Sequence, residues 1–323
     1  MLPFLVRRLL WAIVLFLAAT IITYVLFYVL PSDPASQRCG KACSEEDVQR
    51  VRELYHLDES VVQQYGRFLW ELVGHQSLGR SFLNGQDVNE LIKARAPVTA
   101  TLVFGGAILW LTLAIPIGIF SALRPRSLLD RMTTIFVLIG ISAHPVWIGL
   151  ILAYLFGFKW GVTPITGYCD FFNPGEGASC GGPVQWAYHM ILPWVTFALL
   201  FTAQYVRFIR ASVMETLSED YVRTARAKGA PESRVMGQHV LRNSLLPIVT
   251  ILGLDISLAL GGAIFTESIF GLPGLGQAVF RAVNVGDLPI IQGVVVFSCI
   301  AVIVFTIVVD MLYAVLDPRI RLA

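Results

Sequence analysis

The chain has 323 residues, of which 56% are hydrophobic and 14% charged, where an ordinary soluble domain carries roughly 25% charged residues. That excess of apolar side chains cannot be hidden in one soluble core, and a net charge of +2 gives a polyanion partner no electrostatic footing, which excludes nucleic-acid binding as the main activity. Five cysteines are too few for a scaffold built on disulfides.

The apolar residues lie in long blocks. Runs free of Asp, Glu, Lys and Arg extend over Leu9 to Ser32, Ala96 to Leu123, Met132 to Phe158, Gly177 to Val206 and Leu288 to Val309, and a sixth, Asn243 to Thr266, is interrupted only by Asp255. A hydrocarbon core of about 30 Å needs about 20 helical residues, and only a helix satisfies its own backbone there. Each block therefore predicts a spanning helix, giving an all-α integral membrane protein with six transmembrane helices. The first block is too long for the core of a signal peptide and lacks a small-x-small cleavage pattern, so it reads as a retained helix. Six spans place both termini on one side. Arg7 and Arg8, the arginines between 124 and 131, the basic run from Arg207 to Arg242, and Arg319 and Arg321 mark that side as cytoplasmic under the positive-inside rule. The expected location is the plasma (inner) membrane.

The organisation that follows is an N-terminal tail and first span over 1–32, an extracytoplasmic helical segment over 33–95, and a transmembrane domain over 96–323 with a cytoplasmic loop at 207–244. Within 33–95, Ser44 to Asp47 has the form of a capping box before Val48, Val51, Leu54 and Tyr55 at helical spacing. A second helix carries Val61, Tyr65, Phe68, Leu69 and Leu72 on one face. Asn84-Gly85 predicts a turn before a short helix from Asp87 to Ala94. Cys169 and Cys180 share one outer segment and Cys39 and Cys43 another, so an oxidising exterior would allow two local bridges; the alternative is free thiols. The five histidines and the cysteines show no metal-ligand spacing, and no metal site is expected.

Asp255 inside a span is costly, on the order of 2.5 to 3.5 kcal/mol on insertion scales, so it should face a polar interior. It either lines a translocation path or forms a structural hydrogen bond between helices. His144, followed by Pro145, sits at a predicted kink and is a second candidate for the path, with a satisfied interior histidine as the alternative. No phosphate-binding loop, zinc-protease motif or nucleophile elbow occurs, so the chain is not expected to be an enzyme. An ion-coupled secondary carrier would want several intramembrane ionisable groups, and Asp255 is the one such residue in these blocks.

The stretch from Ser218 to Pro247 reads as helix, stop, helix. Gly229 suits a left-handed helix cap and Pro231 the first turn of the next helix, giving a short protruding elbow. Tyr221, Ala225, Arg226, Lys228, Gly229, Ala230 and Pro231 are its candidate docking residues. A solvated basic loop is the alternative on composition alone.

At this point the residues carry a resemblance. Asp220 to Gly229, with Ala225-x-x-x-Gly229, resembles the EAA loop of ABC importer permeases, specifically their dipeptide/oligopeptide/nickel branch. The N-terminal stretch from Arg7 to Pro34, Leu78 to Phe82, Ser142 to Trp147, Glu267 to Gln277 and Asp310 to Arg321 are similar to other segments of that branch. Arg223 stands where the name-giving Glu would be. The resemblance implies the type I importer permease fold and a non-catalytic subunit that forms the path for dipeptides or oligopeptides; nickel, glutathione or another small ligand is the alternative cargo. It implies no cofactor in this chain, with ATP and Mg on partner subunits. The implied partners are a second homologous permease, two ATPase subunits, an extracytoplasmic solute-binding protein and membrane lipid. ATP-driven closure of the ATPases would pull the elbow and tilt the spans. The segment from Phe270 to Asn284, with Phe270, Leu272, Pro273 and Leu275, is the expected outer gate, since its glycines and proline permit a re-entrant turn; an ordinary interfacial loop is the alternative.

Overall fold

The computed structural model describes residues 2–26, 45–46, 49, 60–172, 180–260 and 263–316. Among them every regular element is helical. Helix α1 covers Leu2–Tyr24, α2 Val61–Gly74, α3 Val88–Leu123 and α4 Leu128–Ser142. Helix α5 (Pro145–Leu152) runs into a π-helical turn, Ala153–Lys159, and α6 covers Pro183–Leu217. Then come α7 (Asp220–Ala227), α8 (Glu232–Ser244), α9 (Leu246–Leu260), α10 (Ile264–Phe270), α11 (Leu275–Val285) and α12 (Leu288–Leu316). The proposed capping box at Ser44 and the helix through Val48 to Tyr55 lie outside the described residues apart from isolated positions.

Three helices are long and apolar enough to cross a membrane, α3, α6 and α12, or up to five if each of two bent pairs, α4 with α5 and α8 with α9, is one span. Helix α1 contributes a shorter apolar stretch, Leu10–Tyr24.

Glycines set the packing. A Cβ on Gly105 would lie 2.2 Å from Trp194, on Gly106 2.6 Å from Phe197, and on Gly118 2.8 Å from Ile209. These close approaches advance together along α3 and α6, so the two helices run parallel. Gly293 abuts Val88 and Phe305 meets Phe104 at 5.8 Å, which makes α12 parallel to both. Gly140 against Ala203 and Asp130 against Arg210 make α4 antiparallel to α6. Tyr205 with Asp255 and Ser212 with Ser244 do the same for α9. The five elements thus alternate in direction, gathering the turns at 123–128 and 217–246 at one end and those at 79–88, 160–172, 180–183 and 263–288 at the other. The core between them is apolar, with Trp110 fully buried among Phe197, Phe201 and Tyr205.

Two sequence expectations change. The block from Met132 to Phe158 is not one helix: it breaks at Ala143 and His144, and its halves are bent by 105°. Pro145 is the cause, because it supplies no N–H to Ile141 and takes the first position of a new helix, which His144 caps by accepting from Val146 N at 3.3 Å. The second concerns Asp87 to Ala94, which is no separate helix. Asp87 caps α3, accepting from Asn89 N at 2.8 Å, and α3 then continues without interruption past Pro97 to Leu123. No residue between Ala94 and Ala96 stops a helix, so the proposed boundary at 95/96 falls inside it.

At the elbow end, the Asp130 carboxylate joins four pieces of chain. It accepts from Arg210 Nε at 2.7 Å and Nη2 at 3.1 Å, from Ser121 Oγ at 2.5 Å and from Arg126 N at 2.9 Å. Asp130→Ala would strand a guanidinium that is only partly exposed, a change that costs on the order of 3 kcal/mol. The expected result is a lower unfolding temperature of the purified protein, partly restored by Asp130→Asn; an unchanged midpoint would remove this network from the account.

Candidate functional site

The elbow is built by a helix stop. Helix α7 ends at Ala227 with Lys228 as its C-cap, and Gly229 adopts φ +77°, the left-handed region that L side chains avoid. Gly229 N then donates to Arg226 O at 2.9 Å and Ala230 N to Ala225 O at 3.2 Å, the paired reverse bonds of a Schellman motif. The spacing Ala225-x-x-x-Gly229-Ala230 is therefore the spacing of a cap. Pro231 stands one position before the next helix, as its N-cap, and not inside its first turn; its extended ψ of 145° turns the chain before α8 begins.

Three contacts hold the elbow's shape. Arg226 Nη2 and Nε reach the two carboxylate oxygens of Glu232 at 2.6 and 3.2 Å. Asn243 Nδ2 donates to Tyr221 OH at 2.9 Å. Val222 is completely buried, with Val235 and Val240 on the returning arm. The Arg226 guanidinium holds the Glu232 carboxyl below its usual range, so the clamp is intact at neutral pH and opens only as pH falls through that depressed value. Ala225 and Ala230 pack partly against the core, which leaves Tyr221, Arg223, Arg226, Ala227, Lys228, Gly229 and Pro231 on the exposed side. The sequence reading missed Val222, whose only signal is an apolar residue in a basic helix.

At the opposite end, Phe270, Leu272 and Leu275 are buried and Pro273 is half-buried. They surround Glu267, fully buried, whose carboxylate accepts from Thr99 Oγ1 at 2.7 Å and Gln277 N at 2.9 Å. Thr99 Oγ1 in turn accepts from Leu275 N at 2.8 Å. Burial pushes the Glu267 carboxyl up, opposed by the Thr99 hydroxyl, the Gln277 and Gly276 amides and the charge of Arg95. A Cβ on Gly274 would sit 2.3 Å from the Glu267 Cδ, and one on Gly276 2.8 Å from the Ile264 backbone. The glycines thus admit a carboxylate into the turn, and Glu267 ties α10 and α11 to α3. Asp287, also buried, accepts from Ser81 Oγ and from Phe82 N at 3.1 Å, fixing Leu78 to Phe82 to the start of α12.

Cys169 and Cys180 form a disulfide; Cys39 and Cys43 lie outside the described residues. His189 Nδ1 is 3.2 Å from Cys169 Sγ, so Cys169, Cys180 and His189 do converge, although linear spacing gave no such pattern and both sulfurs are committed to the bridge. Two residues before the bridge, Gly167 N donates to Phe270 O at 2.9 Å, which joins this stretch to the outer turn.

Asp255 and His144 are not brought together. Asp255 Oδ2 accepts from Tyr205 OH at 2.7 Å, joining α9 to α6. The His144 ring stands edge-on to Phe265 at 5.2 Å.

Comparison with known proteins agrees with this geometry. The family described as binding-protein-dependent transport system inner membrane component matches residues 114–322, and the N-terminal region of such membrane components matches residues 1–103. The dipeptide transport system permease protein DppB of Escherichia coli K12 is 35% identical over 338 aligned positions, covering 99% of each chain. The oligopeptide transport system permease protein AppB of Bacillus subtilis is 36% identical over 322, covering 99% of this chain and all of that one. A solved structure of the MetNI methionine ABC transporter in an inward-facing conformation superposes with a TM-score of 0.55 at 16% identity, over 70% of this chain and 96% of that one, and shares the fold. The match across both ends of the chain shows that this protein belongs to the family of binding-protein-dependent transport system inner membrane components, the permease subunits of such systems.

Proposed function

We propose that this chain is one of two homologous permeases that form the path of an ATP-driven importer for dipeptides or oligopeptides, with six spans and both termini in the cytoplasm. Solute arrives from an extracytoplasmic binding protein. Two ATPase subunits, which hold ATP and Mg, dock on the elbow at 218–231. The observation that carries this reading is the elbow itself, a short helix capped at Gly229 and clamped between α6 and α8, in a chain that aligns end to end with dipeptide and oligopeptide permeases.

The elbow suits force transfer because its two arms continue directly into helices that run through the body, α6 on one side and α8 with α9 on the other. Tyr221, Arg223, Lys228 and Pro231 present an exposed surface to a docking groove, while Val222 and the Arg226–Glu232 clamp make the elbow move as one piece. Displacing it tilts α6 against α9, and the Tyr205–Asp255 bond between those helices lies within the region that must rearrange. Power passes mechanically through a packed element with two arrangements. The outer turn around Glu267 is the opposing gate, held shut by Phe270, Leu272 and Leu275.

Deleting the chain from its host and measuring uptake of radiolabelled dialanine tests the cargo. Loss of uptake, restored by supplying the chain, is expected; unchanged peptide uptake together with loss of nickel or glutathione uptake would replace the cargo and keep the permease.

A further inference from the structure

The break between α4 and α5 has a consequence that neither elbow nor outer turn uses. It opens onto a cleft of about 440 Å³, bounded by the side of α6 and the start of α10 and lined by Gly140, Ala143, Leu200, Gln204, Phe265 and Thr266 among others. That volume lies in the range of small-ligand sites, roughly 300 to 1,000 Å³. No Asp, Glu, Lys, Arg or His is among its lining residues.

What the cleft offers instead is hydrogen-bond acceptors. In the last turn of α4, Ile139 O accepts from Ala143 N at 2.9 Å, while the carbonyls of Gly140 and Ile141, both lining residues, accept no backbone bond among the described residues. For Ile141 this is enforced by chemistry, since the residue four positions on is Pro145 and has no N–H. The C-terminal end of a helix also carries partial negative charge. Beside it, the amide of Gln204 makes no hydrogen bond to the described residues and adds a side-chain oxygen on the same wall. A lipid tail has no donors to match these groups. A carboxylate placed against the carbonyl ends would be repelled, so a peptide's own carboxylate must lie away from them, and a divalent metal ion would find no charged ligand. Interrupted backbone at membrane depth is tolerated where it lines a cavity, and broken helices supply ligand groups in other transporters.

We propose that this cleft holds the cargo in transit and recognises the N–H donors at the amino-terminal end of a short peptide, through the carbonyls that end α4 and the oxygen of Gln204, without reading side-chain charge. The inference rests on the peptide-cargo reading and adds to it a place and a recognition chemistry.

The test uses the complete complex of this chain with its partner permease, ATPases and dialanine-loaded binding protein in proteoliposomes. Leu200→Trp fills the cleft and is expected to lower dialanine uptake about tenfold, and Gln204→Ala about threefold or more, while both keep the ATPase stimulation given by the loaded binding protein. A cysteine placed by Ala143→Cys in a Cys299→Ser background gives an independent reading if Leu200→Trp disturbs folding: its alkylation by N-ethylmaleimide should slow at least about threefold during dialanine turnover. Full-rate uptake by both cleft variants, or alkylation at 143 indifferent to dialanine, overturns the inference and leaves the peptide permease standing. If the unaltered complex moves no peptide, the cargo reading fails first and this inference falls with it.

Discussion

Replacing Gly229 with valine is expected to reduce ATP-driven uptake by about tenfold or more while leaving the protein folded in the membrane. The reason is conformational. No heavy atom lies within 4 Å of a Cβ placed there, so nothing clashes; the penalty is the backbone at φ +77°, which costs about 1 to 2 kcal/mol for an ordinary L residue and more for a β-branched one. The chain can avoid that strain only by giving up the reverse bonds to Arg226 and Ala225, which aim the elbow. Gly229→Asn, which tolerates the left-handed region, should retain most of the uptake. The graded series glycine, asparagine, alanine, valine separates loss of a cap from loss of a docking surface, because the side chain added at 229 is exposed in every case. Equal transport by the asparagine and valine variants would show that cap geometry does not govern coupling.

Glu267→Ala is expected to destabilise the protein by on the order of 3 kcal/mol, because the Thr99 hydroxyl and the Gln277 amide would each be left buried without a partner, at about 1 to 3 kcal/mol per group. Gly276→Ala should be as damaging by another route, since its Cβ would meet the Ile264 backbone at 2.8 Å and backbone cannot swing aside as a side chain does. Glu267→Gln keeps an acceptor for Thr99 and should be mild. It should also change the pH response. The Glu267 carboxyl is raised above its ordinary 4.5 by burial, so the folded state holds its proton more tightly than the unfolded one. Stability due to this group is then greatest below the ordinary value and declines as pH rises through the raised one. Unfolding midpoints across that window should fall for the unaltered protein and flatten for Glu267→Gln. An identical pH profile in both would mean that the carboxyl does not titrate differently on folding.

The two sites differ in how far they are legible from sequence. The elbow can be read because its cap is local: a glycine four residues after an alanine and a proline two residues later specify a stop and a turn within one segment. The arms' attachment was less visible, since Val222 is one apolar residue among charges and the Arg226–Glu232 pair spans the turn. In sequence the outer turn reads as a gate whose glycines and proline permit a re-entrant turn, or as an interfacial loop, and its glycines do matter. Their purpose was hidden because it depends on a carboxylate from the preceding helix and a hydroxyl more than 160 residues away in sequence. In a linear reading, Glu267 is simply the last charged residue before a loop. The Ser81–Asp287 tie is concealed in the same way.

The helices show the same division. Apolar blocks located α3, α6 and α12, because a long apolar run has few other solutions, but not their ends: α3 begins eight residues before its block, and α6 and α12 end eleven and seven residues after theirs. Proline at 145 foretold a kink, but a 105° break depends on what the second half packs against: a Cβ on Gly149 would lie 3.0 Å from Ile269, and Phe265 stands against His144. Those contacts belong to α10, far along the chain. Asp255 was weighed as lining a path or bonding between helices, and its hydroxyl partner on α6 supplies the second kind of contact.

Cross-linking at the elbow is the most direct test of the coupling claim. A cysteine introduced by Lys228→Cys should be reached by impermeant thiol reagents only from the cytoplasmic side, form a disulfide with a cysteine on the ATPase surface, and do so at a rate that changes when ATP is bound. Labelling of position 228 from outside the cell, or uphill peptide uptake by the permeases reconstituted without any ATPase, would contradict the account.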